Sequence, residues 1–329
     1  MTKKENKVTK FEYYITEMKS DARVEMWATR HIPFEPKDKV EKARNCLNAK
    51  IKCLDCSVNA PANMRVRHAV YWSSEPNGGN ASDVENLLTY NIRVWTSVSK
   101  EWPILRFERA FPYPSKYPAP SGAKHFYSYW MGTKDDGFCH HKLKECCWEI
   151  NVPLNKFPAM PNQAQYRFWL ATSMAIKKKH TKSRLDAKLL SQFALKVDVN
   201  LSQLRSICVK NLLDGILTAM HPYGHTKKRA GKAAQIGDVA QHLAGKFSNL
   251  EYGEDRMKQL LECKGKPLPE HECFYIKRLI MNPADHNCVA VEVRFNGKYN
   301  GPNSDCLHIE LFEVTNTRAN QSGKHLPGS

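Results

Sequence analysis

The chain has 329 residues, and its 50 Lys and Arg against 33 Asp and Glu leave a formal net charge of +17. Its hydrophobic fraction of 42% and charged fraction of 25% are close to globular averages and exclude a fibrous or largely disordered protein. The positive surplus favours a polyanionic partner such as DNA or RNA. No run approaches 18 apolar residues, so we expect no membrane span and no membrane partner.

The two ends of the chain carry weak structural patterns. Residues 1–10 are rich in lysine and predict a flexible N-terminus. They lack the apolar stretch of a secretory signal, so we expect a cytoplasmic protein. From Glu313 onward, the sequence EVTNTRANQSGKHLPGS loses its apolar pattern and predicts a disordered tail over 313–329.

Between the ends we expect two domains, because domains typically hold about 100 to 200 residues. A proline-punctuated stretch, VPLNKFPAMPNQ (152–163), precedes a new helical pattern, and we place the boundary just before it. The expected domains are therefore a basic domain over 11–145 and a second domain over 146–312.

In the first domain, FEYYITEM (11–18) and MRVRHAVYW (64–72) predict strands, and DVENLLTYNIRVW (83–95) predicts a helix. The second strand alternates basic and apolar residues, which is typical of a half-exposed strand. Its basic residues Arg65 and Arg67 are candidate nucleic-acid contacts.

In the second domain, WEINVPL (148–154) and FALKVDVNL (193–201) predict strands, and helices are predicted around Phe168 and at LRSICVKNLLDGILTAM (204–220). CFYIKRLI (273–280) and CVAVEVRF (288–295) predict a hairpin around MNPADHN, whose Asn, Pro and Asp favour turns. The predicted class is α+β, with two small sheet-plus-helix domains.

The stretch SDVENLL (82–88) allows two interpretations. Ser82 and Glu85 have the S-x-x-E spacing of a capping box, in which Asp83 would favour the positive end of the helix dipole. Alternatively, Asp83 and Glu85 are carboxylates one residue apart, and one or two carboxylates suffice to anchor Mg²⁺. The sequence leaves both interpretations open.

An internal similarity connects the two domains. Val84–Leu88 and Val209–Leu213 share the pattern V-x-N-L-L, each on a predicted helix that follows a predicted strand. The shared pattern therefore reflects either a divergent internal duplication of the chain or a chance match over five positions.

A basic strand, then DVENLL, KNLLDGI (210–216), GDVAQ and a predicted terminal hairpin together resemble RusA-type Holliday junction resolvases, most closely over 146–312. The resemblance implies a Mg²⁺-dependent, structure-selective nuclease with Asp83, Glu85 and Asp238 as metal ligands and Lys210 beside the phosphate. Two positions depart from the family, since Leu204 and Ser206 stand where it carries metal-binding aspartates. Either the first half completes a composite site, or the fold has been kept for binding.

Eleven cysteines without a framework spacing predict mainly reduced thiols. Two groups contain residue types that can bind zinc. They are Cys46, Cys53 and Cys56 with His68, and Cys139, His140, His141, Cys146 and Cys147 of CHHKLKECC. Neither has the two spaced ligand pairs of a structural zinc site. Zinc is therefore not expected, and the expected cofactor is the magnesium that the resolvase resemblance implies.

Two basic runs add candidate phosphate contacts, which supply most sequence-independent affinity for nucleic acid. These are Lys177, Lys178, Lys179 and Arg184 in the first run, and Lys227, Lys228 and Arg229 in the second. Three hypotheses remain: a nucleic-acid-binding nuclease, a catalytically inactive DNA- or RNA-binding protein, and a basic scaffold for an acidic protein. The working form is either a homodimer or an intramolecular pseudo-dimer.

Overall fold

The structure is a computed structural model. It describes residues 11–18, 22–30, 32, 38–55, 65–74, 95–109, 119–154, 164–179, 185, 188–189, 191–201, 206–220, 287–296 and 305–316.

Strands outnumber helices along the described chain. In order, they are β1 (Tyr13–Met18), β2 (Arg23–Ala28), α1 (Asp38–Leu54), β3 (Arg65–Ser73), β4 (Ser97–Ser99), β5 (Ile104–Arg109), β6 (His125–Thr133), β7 (His141–Pro153), α2 (Ala164–Lys179), β8 (Phe193–Asn200), β9 (Ser206–Cys208), α3 (Val209–Met220), β10 (Cys288–Asn296) and β11 (Cys306–Asn316). One 3₁₀ turn, Lys134–Asp136, follows β6.

Local sequence patterns explain these elements. In α1, the apolar residues recur at helical spacing and are buried, as in Val40, Ala43, Leu47, Ile51 and Leu54. In the central strands, apolar residues alternate with charged ones, as in the LKVD of β8 and the VEVR of β10. A period of two places these two sets of side chains on opposite faces of a sheet.

Nine of the strands form one sheet, in the order β1-β2-β6-β3-β5-β10-β8-β11-β7. The β3–β5 and β10–β8 pairs are parallel, whereas the β1–β2, β2–β6, β3–β6, β5–β10 and β8–β11 pairs are antiparallel. A second, two-stranded sheet pairs β4 with β9.

The strand order repeats in the two halves of the large sheet. It reads β2-β6-β3-β5 in one half and β7-β11-β8-β10 in the other. In each half the second and third strands of this order are antiparallel, and the third and fourth are parallel. The two halves meet at the antiparallel β5–β10 pair.

The chain forms two compact units. One comprises residues 1–151, 192–210 and 288–329 and contains both sheets; the other comprises 152–191 and 211–287. In the second unit α2 packs closely on α3: a Cβ added to Gly215 would lie 2.7 Å from the carbonyl oxygen of Gln165. The side-chain amide of Gln165 also donates to Asn211 at 3.0 Å and to Asp214 at 2.9 Å.

The α+β class is confirmed, because the described chain contains both sheets and helices. The strands predicted at 11–18, 64–72, 193–201 and 288–295 correspond to β1, β3, β8 and β10, and the helix predicted around Phe168 is α2. The boundary predicted near residue 145 lies inside β7, and strands from both sides of it share one sheet.

Three expectations are corrected. Both edges of β10 are occupied from Ala290 to Arg294, by β5 and by β8, so β10 cannot form the predicted hairpin there. The predicted tail begins inside β11, which continues to Asn316. β3 is buried rather than half-exposed, because it lies between β5 and β6 in the interior of the sheet.

The described helices include none that is both long enough and apolar enough to cross a membrane.

Candidate functional site

Nine ionisable residues of the large sheet lie on one side of it, which we call the charged face. The strands place them there by alternation, since their apolar neighbours point to the opposite side. In β8, for example, Leu195 and Val197 are fully buried, whereas Lys196 and Asp198 are partly exposed. The charged face consists of His68, Arg106, Glu108, Lys196, Asp198, Glu292, Arg294, His308 and Glu310.

The strand registers place unlike charges side by side on this face. One row across the sheet runs through the directly paired residues His68, Arg106, Glu292, Lys196 and Glu310. The adjacent row runs through Arg294, Asp198 and His308. Opposite charges on directly opposed strand positions stabilise a sheet, whereas like charges would destabilise it. The alternation therefore supports the observed register.

At the centre of the charged face, Arg106 and Glu292 form a buried ion pair, with 2% and 1% of their surfaces exposed. Arg294 reaches the other carboxylate oxygen of Glu292 at 2.5 Å. Burial by itself would raise the pKa of Glu292, but the charges of Arg106 and Arg294 outweigh it and lower that pKa. Glu292 is therefore ionised at neutral pH.

The connection between β6 and β7 is held over the charged face by two side chains of β5. Arg106 donates to the carbonyl oxygens of Lys134 at 2.9 Å and Gly137 at 3.4 Å. Glu108 accepts the backbone N–H groups of Cys139 at 2.6 Å and His140 at 2.8 Å, and lies 3.2 Å from Nδ1 of His141. Burial raises the pKa of Glu108, but the His141 contact and these N–H donors outweigh it, so that pKa is lowered.

His68 is the most strongly perturbed base of the charged face. It is 1% exposed, and its ring stacks on Trp130 at 4.8 Å with an interplanar angle of 7°. Burial first, and then the charge of Arg106, lower the pKa of His68 to about 4. Its Nε2 atom lies 3.9 Å from the carboxylate of Asp136, beyond hydrogen-bond range. His68 is therefore neutral at physiological pH.

The outer part of the charged face is more open. Burial raises the pKa of Asp198, against the opposing charges of its neighbours Arg294 and His308. The ring of His308 makes a 2.9 Å hydrogen bond between Nδ1 and the side-chain oxygen of Asn151 on β7. These groups balance one another, and they offer no concentrated positive or negative charge to a ligand.

Within the described chain, one group of three side chains could place ligand atoms around a metal ion: Cys146, Glu149 and Glu310, whose ligand atoms all lie within 4.8 Å of one another. The Cys146 thiol donates to the carbonyl oxygen of Trp148 at 3.3 Å. Burial, together with the carboxylates of Glu310 and Glu149, raises the pKa of Cys146. The group suits Mg²⁺ poorly, because Mg²⁺ prefers oxygen ligands and a protonated thiol is a weak ligand.

The Cys/His groups considered as zinc sites are dispersed in the described chain. Cys46 and Cys53 are exposed on α1, whereas His68 is buried in β3. Cys56 lies outside the described residues. In the second group, the backbone N–H groups of Cys139 and His140 bind Glu108, whereas Cys146 lies farther along β7.

The residues expected to bind metal, Asp83, Glu85 and Asp238, lie outside the described residues. So do four of the expected nucleic-acid contacts: Arg184, Lys227, Lys228 and Arg229. Lys210 is the second residue of α3 and is partly exposed. Lys177, Lys178 and Lys179 form the exposed last turn of α2.

The two arginines of β3 have different settings. Arg67 is buried and bonds Asp55 at 3.0 Å, and its guanidinium carbon lies 4.5 Å from the centre of the Trp102 ring. Burial lowers the pKa of Arg67, against the opposing effect of Asp55. The Arg65 guanidinium lies over the same tryptophan at 5.2 Å and is partly exposed. Arg67 therefore stabilises the interior, and only Arg65 is accessible to a ligand.

The charged face is not among the sites predicted from the sequence. Its signal was present in the alternation of β5 (ILRFER), β8 (FALKVDVN), β10 (CVAVEVRFN) and β11 (CLHIELFEVTN). Charged residues at every second position of several strands predict a polar sheet face. The sequence does not show which charges become neighbours, because that depends on strand order and register.

No family model, curated protein or solved structure matches the chain. The resemblance to RusA-type resolvases therefore rests on the sequence elements alone.

Proposed function

We propose that the protein binds nucleic acid through its basic surface and cuts it in a Mg²⁺-dependent reaction of the resolvase type. The observation that carries the binding proposal is the distribution of charge. The net charge is +17, yet the charged face contributes none of this surplus, because its four carboxylates outnumber its three Lys and Arg side chains. The positive surplus therefore belongs to residues elsewhere in the chain, and it favours a polyanion.

The exposed turn Lys177–Lys179 is the strongest described concentration of that surplus. Three consecutive ammonium groups at the C-terminal end of a helix have a structural explanation as well, since they complement the negative end of the helix dipole. That effect needs only one or two of them. A run of three lysines, continued by His, Lys and Arg in the sequence to Arg184, favours contacts with successive phosphates.

The cleavage part of the proposal rests on Asp83, Glu85 and Asp238 as ligands and on Lys210 as a cation beside the phosphate. When bound, Mg²⁺ would supply an activated water and neutralise developing charge on the phosphate. Lys210 would stabilise the same developing charge from the start of α3.

The binding proposal is tested by fluorescence anisotropy with labelled duplex, single strand, fork and four-way junction at several salt concentrations. Binding should weaken steeply with salt, because phosphate contacts release counterions. A triple Lys177→Gln/Lys178→Gln/Lys179→Gln variant should lower affinity about tenfold and reduce the salt dependence, since each phosphate contact contributes to that slope.

The matched control removes the same charge from dispersed sites, as Lys42→Gln/Lys52→Gln/Lys100→Gln, all of which are exposed. It should weaken binding much less. If the two variants lose affinity equally, the lysine turn contributes only through its net charge. Affinity that does not change with salt would refute the electrostatic proposal. Tight binding to an acidic protein or polyglutamate, without binding to any nucleic acid, would establish the scaffold instead.

A further inference from the structure

The two halves of the large sheet share more than their strand order. Each follows one sequence of elements: strand, helix, strand, a connecting segment, then two strands. In the first half these elements are β2, α1, β3, β5 and β6; in the second they are β7, α2, β8, β10 and β11, with α3 between β8 and β10. Each helix therefore occurs at the matching place in its half. A shared order of strands, helices and pairings is unlike a chance arrangement of nine strands.

The registers also match the two halves residue by residue. The five-residue register between β5 and β10 is centred on the pair Arg106–Glu292. A two-fold axis through that pair would exchange the two strands. In their parallel neighbours, His68 lies beside Arg106 and Lys196 lies beside Glu292. The same axis therefore matches His68 of β3 with Lys196 of β8.

The sequence supplies a second, independent observation. The V-x-N-L-L pattern at Val209–Leu213 opens α3, between β8 and β10. Its counterpart at Val84–Leu88 falls between β3 and β5 in the chain. Nearly the same number of residues separates the two patterns as separates His68 from Lys196. The two separations are 125 and 128 residues, so sequence similarity and strand topology give alignments that agree to within three residues.

We infer that the chain is an intramolecular dimer of two related α+β repeats, 23–133 and 141–316, and that it has one cutting site rather than two, because the second repeat lacks its own carboxylate pair. The alignment places Cys208 and Lys210 of the second repeat at the positions of Asp83 and Glu85. A thiol and an ammonium group cannot replace a carboxylate pair as Mg²⁺ ligands. The next acid along α3, Asp214, is 4% exposed and accepts a hydrogen bond from Gln165 at 2.9 Å.

Two consequences follow, and the first rests on the proposed function. If the chain has one cutting site, one encounter produces a nick in one strand rather than a pair of cuts. Second, the contact that joins the repeats is satisfied within the chain, since β5 and β10 each have a neighbour on both sides. A second copy cannot use that contact, so we expect the active species to be a single chain.

The test incubates the full-length protein with supercoiled plasmid and with a four-way junction labelled on each strand, in Mg²⁺. Nicked circle should form first, with linear DNA only as a later product. The Asp83→Asn variant should lose nicking by at least about tenfold, as expected for removal of a metal ligand. The Cys208→Ser variant should retain it within about twofold, because the thiol takes no part in the chemistry. Mass photometry should show one chain, both free and on the junction.

Linear DNA as the first product, or two chains per junction, would overturn the inference while leaving the proposed nuclease in place. A stable dimer of the free protein would also overturn it. If no nick forms and junction binding persists, both the inference and the cleavage part of the proposed function fail, and binding remains. If the protein binds no nucleic acid even at low salt, the proposed function fails. Mass photometry of the free protein still tests, independently, whether it is a single chain.

Discussion

Breaking the Arg106–Glu292 pair should strongly destabilise the fold. In the Arg106→Leu variant, the carboxylate of Glu292, in a side chain that is 2% exposed, keeps only Arg294 as a charged partner. The carbonyl oxygens of Lys134 and Gly137 lose a donor as well. Removing one partner of a buried ion pair typically costs about 3 to 5 kcal/mol, because it leaves an uncompensated buried charge. We expect about 3 kcal/mol here, since Arg294 retains part of the compensation.

The Glu292→Leu variant should be destabilised to a similar degree, because it leaves the buried guanidinium of Arg106 without its carboxylate. The double variant Arg106→Leu/Glu292→Leu should be more stable than the sum of the single losses predicts. Replacing both partners with apolar groups removes the uncompensated charge, so the coupling between the two positions should be about 2 kcal/mol or more.

The measurement is urea unfolding of all four proteins, followed by circular dichroism, with the free energy of unfolding compared at constant slope. The control is the partly exposed pair Lys50–Glu17, at 2.9 Å with side chains 32% and 27% exposed. Replacing both of its members should cost less than about 1 kcal/mol. Single losses at Arg106 and Glu292 as small as the control's, or additive losses in the double variant, would refute the account of a buried, coupled pair.

The remaining predictions concern pH and helix packing. Because the folded pKa of His68, about 4, lies below its unfolded value of 6.5, its contribution to stability is complete above pH 6.5 and is lost as the pH falls toward 4. This loss should amount to about 2.5 kcal/mol between pH 7.5 and 4.5. A His68→Gln variant, compared with the parent by denaturation at both pH values, should lack this part of the pH dependence of the free energy of unfolding. An unchanged pH dependence would contradict the burial of a neutral imidazole. The Gly215→Ala variant places a Cβ 2.7 Å from the Gln165 carbonyl oxygen and 2.9 Å from the Phe168 Cβ. Its free energy of unfolding should therefore fall by about 1 to 3 kcal/mol through overpacking. A stabilised variant would show that the two helices move apart at little cost.

Several elements could be predicted from the sequence because their signals are local. The strands at β3, β8 and β10 and the helix α2 follow from apolar spacing alone. The helix α1 was missed, although Val40, Leu47 and Leu54 recur at helical spacing in its sequence. The predicted tail starts too early for a different reason: its first four residues, Glu313–Asn316, extend β11, which has neighbouring strands in the sheet. Residues 317–329 lie outside the described residues.

The predicted hairpin shows more clearly what local sequence signals cannot determine. The turn formers in MNPADHN are a real local signal, but β10 lies between β5 and β8, which are distant from it in the chain. Local turn propensity cannot show which strand occupies an edge, because pairing depends on the whole set of strands competing for it. The same reason explains Arg67, which the alternating pattern placed on an exposed surface and which the interior position of β3 buries.

By itself the sequence determined the α+β class, the positive surplus and the positions of β1, β3, β8 and β10, because composition and periodicity are properties of the chain alone. Tertiary structure decided that Arg106 and Glu292, far apart in the sequence, become a buried pair. It also decided that two halves with little sequence similarity have the same strand order. Burial, ion pairing and pKa depend on which groups exclude water from one another, and strand order and register settle that only when the chain folds.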